Sequence, residues 1–245
     1  MKKILIIGLL LFNVTTLLLA ENKELSIGVG MSENINKFYK KERKIIPIPI
    51  IEAKYKNIYL NETYLGIDVI KKSKFSSSFF IDLMDGYSVK RKDMDKGYQS
   101  INKRKNQVAG GVKLTYNFDQ TFQGDISIQY GEHGSKSNLK FSKLYPINEK
   151  LYLMAIVGGN YYSNDYSDYY WGVDKDELGG KISKSFTPKD IYSVNLDFIM
   201  EYYIKPNFSI ISFLSFEEFS SKIKDSPIIE NSYLLNMGVG MKYYL

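Results

Sequence analysis

The sequence predicts an all-β protein: a transmembrane antiparallel up-and-down β-barrel of about twelve strands, with ten as the alternative, after a cleaved signal peptide. Three observations carry this prediction. Apolar residues recur with a period of two in segment after segment, which puts grease on one face of each strand and small or polar groups on the other. The chain opens like a secretory leader, yet nothing after it approaches about eighteen uninterrupted apolar residues, so a spanning helix is excluded. Short turns and long polar loops then alternate along the chain, as in bacterial outer-membrane barrels.

The division expected is residues 1–20 as signal peptide and residues 21–245 as one barrel. Lys2 and Lys3 supply the charged start, Ile4 to Phe12 the apolar run, and Ala20 the cleavage site. Leu18 is bulky for the minus-three position, so the cut is placed to within a residue or two. Asn13, Thr15 and Thr16 interrupt the apolar run, which argues against an uncleaved anchor helix. There is no cysteine, hence neither a lipoprotein attachment site nor a disulfide framework. Losing the leader removes two lysines and no acid from a formal charge of +6. The remaining bases are spread through loops, which gives nucleic acid no basic face to bind. With 21 tyrosines and 14 phenylalanines against 6 prolines, the composition suits strands and the aromatic girdles of a barrel.

The first strand alternates Leu25, Ile27, Val29 and Met31 with Ser26, Gly28, Gly30 and Ser32. A basic loop follows, holding Lys37, Lys40, Lys41, Arg43 and Lys44. Ile45 to Tyr55 is a strand expected to be irregular at its loop end, because Pro47 and Pro49 donate no backbone hydrogen bond. After a tight turn at Lys56-Asn57, Ile58 to Ile70 reads as two pieces around Glu62 and Thr63. Phe75 to Met84 is a strand, and Asp85 to Lys105 a long loop dense in charge.

The clearest pair comes next. Val108 to Phe118 and Phe122 to Tyr130 both alternate across a tight turn; if Phe118 faces Phe122, then Thr115 faces Asp125, with Lys113 diagonal to it. A soluble sandwich would turn this polar face to water, whereas a barrel turns it to the lumen. Gly131 to Lys136 reads as a short loop, Leu139 to Tyr145 and Leu151 to Tyr162 as strands, and Ser163 to Lys189 as a long loop. Tyr192 to Tyr202 and Phe208 to Phe219 are strands around Lys205-Pro206-Asn207. The closing strand, Ser232 to Leu245, alternates Met237, Val239, Met241, Tyr243 and Leu245 with Asn236, Gly238, Gly240, Lys242 and Tyr244. About eleven strands are obvious. An even number is required for both ends to lie in the periplasm, and the extra hairpin is expected within Ile58 to Ile70. Closure follows because lipid offers no partner to an open sheet edge.

Four segments in order resemble the MipA/OmpV family, the MltA-interacting proteins. They are Pro47-Ile48-Pro49-Ile50-Ile51, Tyr170-Trp171-Gly172-Val173, Asp225-Ser226-Pro227-Ile228-Ile229, and Gly238 to Tyr244. The family's usual final phenylalanine is Leu245 here, which bears on recognition by the barrel assembly machinery. The resemblance implies an outer-membrane barrel in contact with outer-membrane lipid. For one branch it implies a scaffold joining a periplasmic murein hydrolase to a murein synthase. It carries over no catalytic, cofactor-binding or metal-binding residue, and no cofactor is expected.

Candidate chemistry is sparse. His133 is the sole histidine and lies near Glu132 and Ser135; a barrel hydrolase would need such a group at the rim, and a solvated histidine is the plain alternative. One histidine without cysteine does not make a zinc site. Asp165, Asp168, Asp174, Asp176 and Glu177 share one loop, which reads either as a calcium-binding loop lacking the usual spacing or as a solvated one. The basic segments 37–44 and 90–105 are expected to face outward, toward lipid phosphate or simply water. Tyr169, Tyr170 and Trp171 read as packing at the membrane rim or as a recognition surface. Lys113, Asp125, Asp197 and Glu201 point inward, lining a pore or filling the lumen. The expected protein is a non-enzymatic scaffold; the alternatives are a narrow channel for small solutes and, third, a barrel enzyme.

Overall fold

The computed structural model describes residues 23–245, so the expected signal peptide lies outside the described residues. Twelve antiparallel strands close into a barrel: β1 (Lys23–Asn34), β2 (Ile45–Tyr55), β3 (Ile58–Asn61), β4 (Tyr64–Lys71), β5 (Phe75–Asp85), β6 (Gln107–Asn117), β7 (Phe122–Gly131), β8 (Gly134–Pro146), β9 (Leu151–Tyr162), β10 (Ile191–Lys205), β11 (Phe208–Phe219) and β12 (Tyr233–Tyr244). Each strand pairs with its neighbour in sequence, and β12 returns to β1 with Gly30 opposite Gly240. The expected extra hairpin is β3–β4, turned at Glu62-Thr63.

The two-residue rhythm sorts the wall. Ile27, Val29 and Met31 of β1 and Met237, Val239 and Met241 of β12 are exposed on the outer surface. Outward Tyr116, Tyr145, Tyr202 and Tyr243 lie toward the turn end of their strands, and Tyr130 and Tyr192 toward the loop end. Two aromatic girdles flanking an apolar band are what a membrane-spanning barrel requires. Lys143 joins the lower girdle, its ammonium over the Phe122 ring and 3.1 Å from Asp119. Its stem lies along the aromatic surface while the charge reaches water.

The inner face carries most of the strands' polar groups, with apolar Ile50, Phe80 and Phe213 among them. Thr115 pairs with Asp125 as parity requires, and its hydroxyl donates to that carboxylate. Glycines line part of this face, and they are needed there: a Cβ on Gly238 would stand 2.3 Å from the Phe213 ring, and one on Gly240 2.8 Å from Ile50.

All five connections at the turn end are short, but the other end is not uniformly long. Gly131 to Lys136 is not a loop; β7 and β8 run into a two-residue turn at Glu132-His133. There Gly134 takes φ +106°, a left-handed conformation that glycine accepts without strain. The four long loops are 35–44, 86–106, 163–190 and 220–232. Loop 163–190 contains helix α1 (Asn164–Trp171), capped by the Ser163 hydroxyl, which accepts the Tyr166 N–H. The irregularity expected at the loop end of β2 is one-sided: the strand pairs with β1 without a break from Ile45 to Tyr55, but with β3 only from Glu52 to Tyr55.

Candidate functional site

The four long loops fold over the outer mouth and make a hydrophobic core of their own. It contains Phe38 and Tyr39 of the first loop, Val89, Met94 and Ile101 of the second, Tyr166, Tyr170, Trp171, Val173 and Ile182 of the third, and Ile223, Ile228 and Ile229 of the fourth. Tyr162, Ile191 and Phe219, at the upper ends of β9, β10 and β11, form its floor. Trp171 is fully buried, with ring centroids of Tyr162 at 5.1 Å and Phe219 at 5.4 Å, both edge-on. Such pairs add to the apolar area removed from water.

Buried polar groups fasten this cap to the wall. Arg104 and Glu177 form a two-pronged ion pair, with both oxygens 2.8 Å from guanidinium nitrogens. Neither side chain meets water appreciably. Arg104 also donates to the Gly172 carbonyl, and Glu177 accepts the Asp174 and Asn102 backbone N–H groups. Burial by itself would raise the Glu177 carboxyl, but the Arg104 guanidinium and the two N–H groups outweigh it and hold the pKa below the usual value. Burial likewise opposes the Arg104 charge, and Glu177 reverses that, raising its pKa. Asp85 at the top of β5 takes Lys136 of β8 at 3.0 Å, Gln107 of β6 at 2.9 Å and Tyr166 of α1 at 3.3 Å. Glu217 of β11 accepts from Tyr87 and Tyr162 at 3.0 and 2.7 Å. A buried carboxylate is tolerated only where its lone pairs are filled, as those of Glu177 and Asp85 are; Glu217 is half-buried and equally engaged.

Several sequence expectations are corrected here. Tyr170 and Trp171 are not rim residues; they sit on α1 inside the cap, and only Tyr169 keeps partial exposure. Of the carboxylates of 165–177, Asp165, Asp174 and Asp176 are exposed and Asp168 half-buried, as in a solvated loop, and only Glu177 is buried. Glu177 turns inward to Arg104, and Asp174 caps the short 3-10 turn that follows it. Among the described residues no cluster of acidic or histidine side chains is arranged to hold a metal ion. The basic segments face outward only in part, because Phe38, Tyr39, Met94, Ile101 and Arg104 within them are buried. His133 lies at its turn with its ring stacked 3.4 Å from that of Tyr169. Among the described residues that ring has neither a serine nor a carboxylate partner.

The inward residues fill the lumen with hydrogen bonds. Asp197 accepts from Ser215 and Asn195, and Glu201 from Ser209 and Tyr244. Lys242 stands between Glu52 at 3.1 Å and Glu201 at 3.3 Å. Lys113 lies over the Tyr59 ring and does not pair with Asp125. Toward the turn end lies an open cavity of about 590 Å³ of mixed character, edged by Glu52, Lys54, Asp68 and Lys113 together with Leu25, Leu60 and Leu245. Arg104, Asp85 and Glu217 do not stand out in the sequence, and Glu177 does so only as one acid of the loop 165–177, not as a partner of Arg104. The available signal was the isolated apolar residues in charged loops (Phe38, Val89, Ile101, Ile223), which have no reason to be there unless a core gathers them.

The family model described as MltA-interacting protein MipA matches residues 25–245 of the chain. The chain is 29% identical over 252 residues to a 24 kDa outer membrane protein of Pasteurella multocida, covering 99% of this chain and 98% of that protein. It is 23% identical over 255 residues to the MltA-interacting protein of Escherichia coli strain K12, covering 98% of each. Among solved structures it is similar to an outer membrane channel of Pseudomonas putida F1, at 10% identity and TM-score 0.47, covering 92% of this chain and 97% of that one.

Proposed function

The chain belongs to the MltA-interacting protein MipA family and is an outer-membrane β-barrel, and from that premise we propose that it is a non-conducting, non-catalytic scaffold. Its loops seal the outer mouth, and its short turns and inner mouth meet periplasmic partners. The observation that carries this reading is the loop core: a path through the lumen would have to cross the fully buried Trp171, Tyr162, Tyr166 and Tyr170. The name of the Escherichia coli relative states an interaction with MltA. By that likeness the partners proposed here are a murein-degrading transglycosylase and a murein synthase, held at the turn end. Residues 1–20 are proposed to be the leader, so sequencing the mature protein from membranes should find Glu21 first; a first residue far inside β1 would contradict the assignment.

The test uses the detergent-folded full barrel as bait for purified periplasmic murein enzymes. Binding should be saturable and should weaken when the turns 118–121 and 147–150 are replaced by glycine-serine of equal length. Unaltered binding by that variant would reject the turns as the docking surface, and absence of any binding would reject the scaffold. The second reading, a narrow channel, is favoured by the open cavity at the turn end with Glu52, Asp68 and Lys113 at its edge. Steady single-channel openings in a planar bilayer would support it over the scaffold.

A further inference from the structure

The barrel wall contains a window. The β3–β4 hairpin pairs only with the lower part of β2, from Glu52 to Tyr55, and with β5 up to Asp82. The turn at Glu62-Thr63 makes the last contacts upward, to the Ile51 carbonyl and the Leu83 N–H. Above it, Ile45–Ile50 of β2 and the end of β5 have lost the two strands between them, roughly 10 Å of wall at ordinary strand spacing. The top is closed by loops: Lys41 bridges to Met94, Glu42 donates to the Asp93 carbonyl, and Lys44 pairs with Asp93 at 2.6 Å.

The open edge of β2 is chemically specific. The Ile51 carbonyl points toward β3. Backbone groups on one side of a strand recur every second residue, so positions 49 and 47 also point to the open side. Both are proline. The edge therefore carries no N–H at positions 47 and 49, so between Ile45 and Ile51 it offers an incoming strand acceptors but no donors. Strand addition is disfavoured there, while contact with lipid is made tolerable.

The lining is apolar on the inside as well. Ile46, Ile48 and Ile50 have the parity of Glu52, which faces the lumen, yet Ile46 is 53% exposed. Gly30 and Gly240 continue the row along the sheet from Ile48 and are closely packed, with Ile50 buried against Gly240, so the accessible part of the stripe is Ile46 and Ile48. Basic residues flank the frame: Arg43 directly before β2, and Lys90 and Lys92 on the loop opposite, all exposed, while Lys44 is held by Asp93 and Arg91 by the Ile101 carbonyl and Asn102.

We propose that this window is a binding site for an anionic membrane lipid, with one acyl chain entering between β2 and β5 against Ile46 and Ile48 and the phosphate held by the flanking bases. The surrounding bilayer supplies the occupant, the apolar inward stripe takes its chain, and the excess of basic groups takes its head.

A photo-crosslinking residue placed at Ile48 in the full barrel tests the site, with the same residue at Ile211 as control. Ile211 points inward in the same row of the sheet, through Gly240 and Gly30, but behind unbroken wall. In phosphatidylglycerol vesicles, position 48 should capture lipid at least several-fold more than position 211. The yield should fall several-fold in phosphatidylcholine, and Lys90→Gln with Lys92→Gln should shrink that difference while heat-modifiable gel migration confirms folding. Equal capture at 48 and 211, or equal yield in the two lipids, would overturn the proposal.

Discussion

Arg104 is where a single change reaches furthest, because its charge is buried and Glu177 is the carboxylate that compensates it. Glu177→Gln keeps the shape but strands the guanidinium, a loss of about 3–5 kcal/mol for a buried pair broken on one side. The strands do not depend on this pair, so the expected outcome is local. Trypsin should cut loop 86–106 much faster, while the folded barrel keeps its heat-modifiable migration. Unchanged cleavage would show that the pair does not hold the cap. Acid should act in the same way. The folded pKa of Glu177 lies below its ordinary value, so its contribution is full above that value and is lost as pH falls through the lower, folded one. Protection of the loop, followed by a protease active in acid, should therefore persist at neutral pH and be lost only as pH falls below the ordinary carboxylate range, a profile that Glu177→Gln should flatten. Neither residue stands out in the sequence. Arg104 is one of many bases in a charged stretch and Glu177 one of several acids in another, and their partnership is a matter of two loops meeting 73 positions apart.

At the scale of the strand, the two-residue rhythm makes opposite demands on adjacent positions. Val239 of β12 faces lipid, and its neighbour Gly240 faces inward under Ile50. Val239→Arg puts a charge on the lipid face, worth about 2–4 kcal/mol near the middle of the bilayer and less toward its surfaces. Folding yield into vesicles should drop, and should drop more in thicker bilayers; an unchanged yield would place this position outside the apolar band. This alternation was legible from one sequence because every second side chain repeats the same statement, and the β12 assignment of Tyr233–Tyr244 follows it closely. The β2 prolines were legible as a disturbance, but not as one confined to an unpaired edge. That depends on how far β3 climbs, which a four-residue strand beside an eleven-residue one leaves open until the register is known.

At the scale of the whole molecule, a hydrogen-bonded lumen lies beneath a buried core made by the four long loops. The wild-type barrel is expected to be silent in a planar bilayer at moderate voltage. Trp171→Ala removes the centre of the cap, a loss of about 3–5 kcal/mol for a large buried aromatic, and should produce brief, flickering openings. Openings of equal size and frequency in wild type would place the conduction path elsewhere than through the cap. The segments Tyr170–Val173 and Asp225–Ile229, which carry the family resemblance, meet there: the Ser226 hydroxyl donates to the Trp171 carbonyl at 2.7 Å.

By itself the sequence determined the closed sheet, its strand number to within one hairpin, and the sorting of side chains between lipid and lumen. These are consequences of local period and of a solvent that tolerates no unpaired backbone. Only the tertiary structure decided that the four long loops share one core, that Glu177 faces Arg104, and that the wall is interrupted above β3–β4. Those features join residues far apart in the chain, and no local pattern encodes which loop will lie against which.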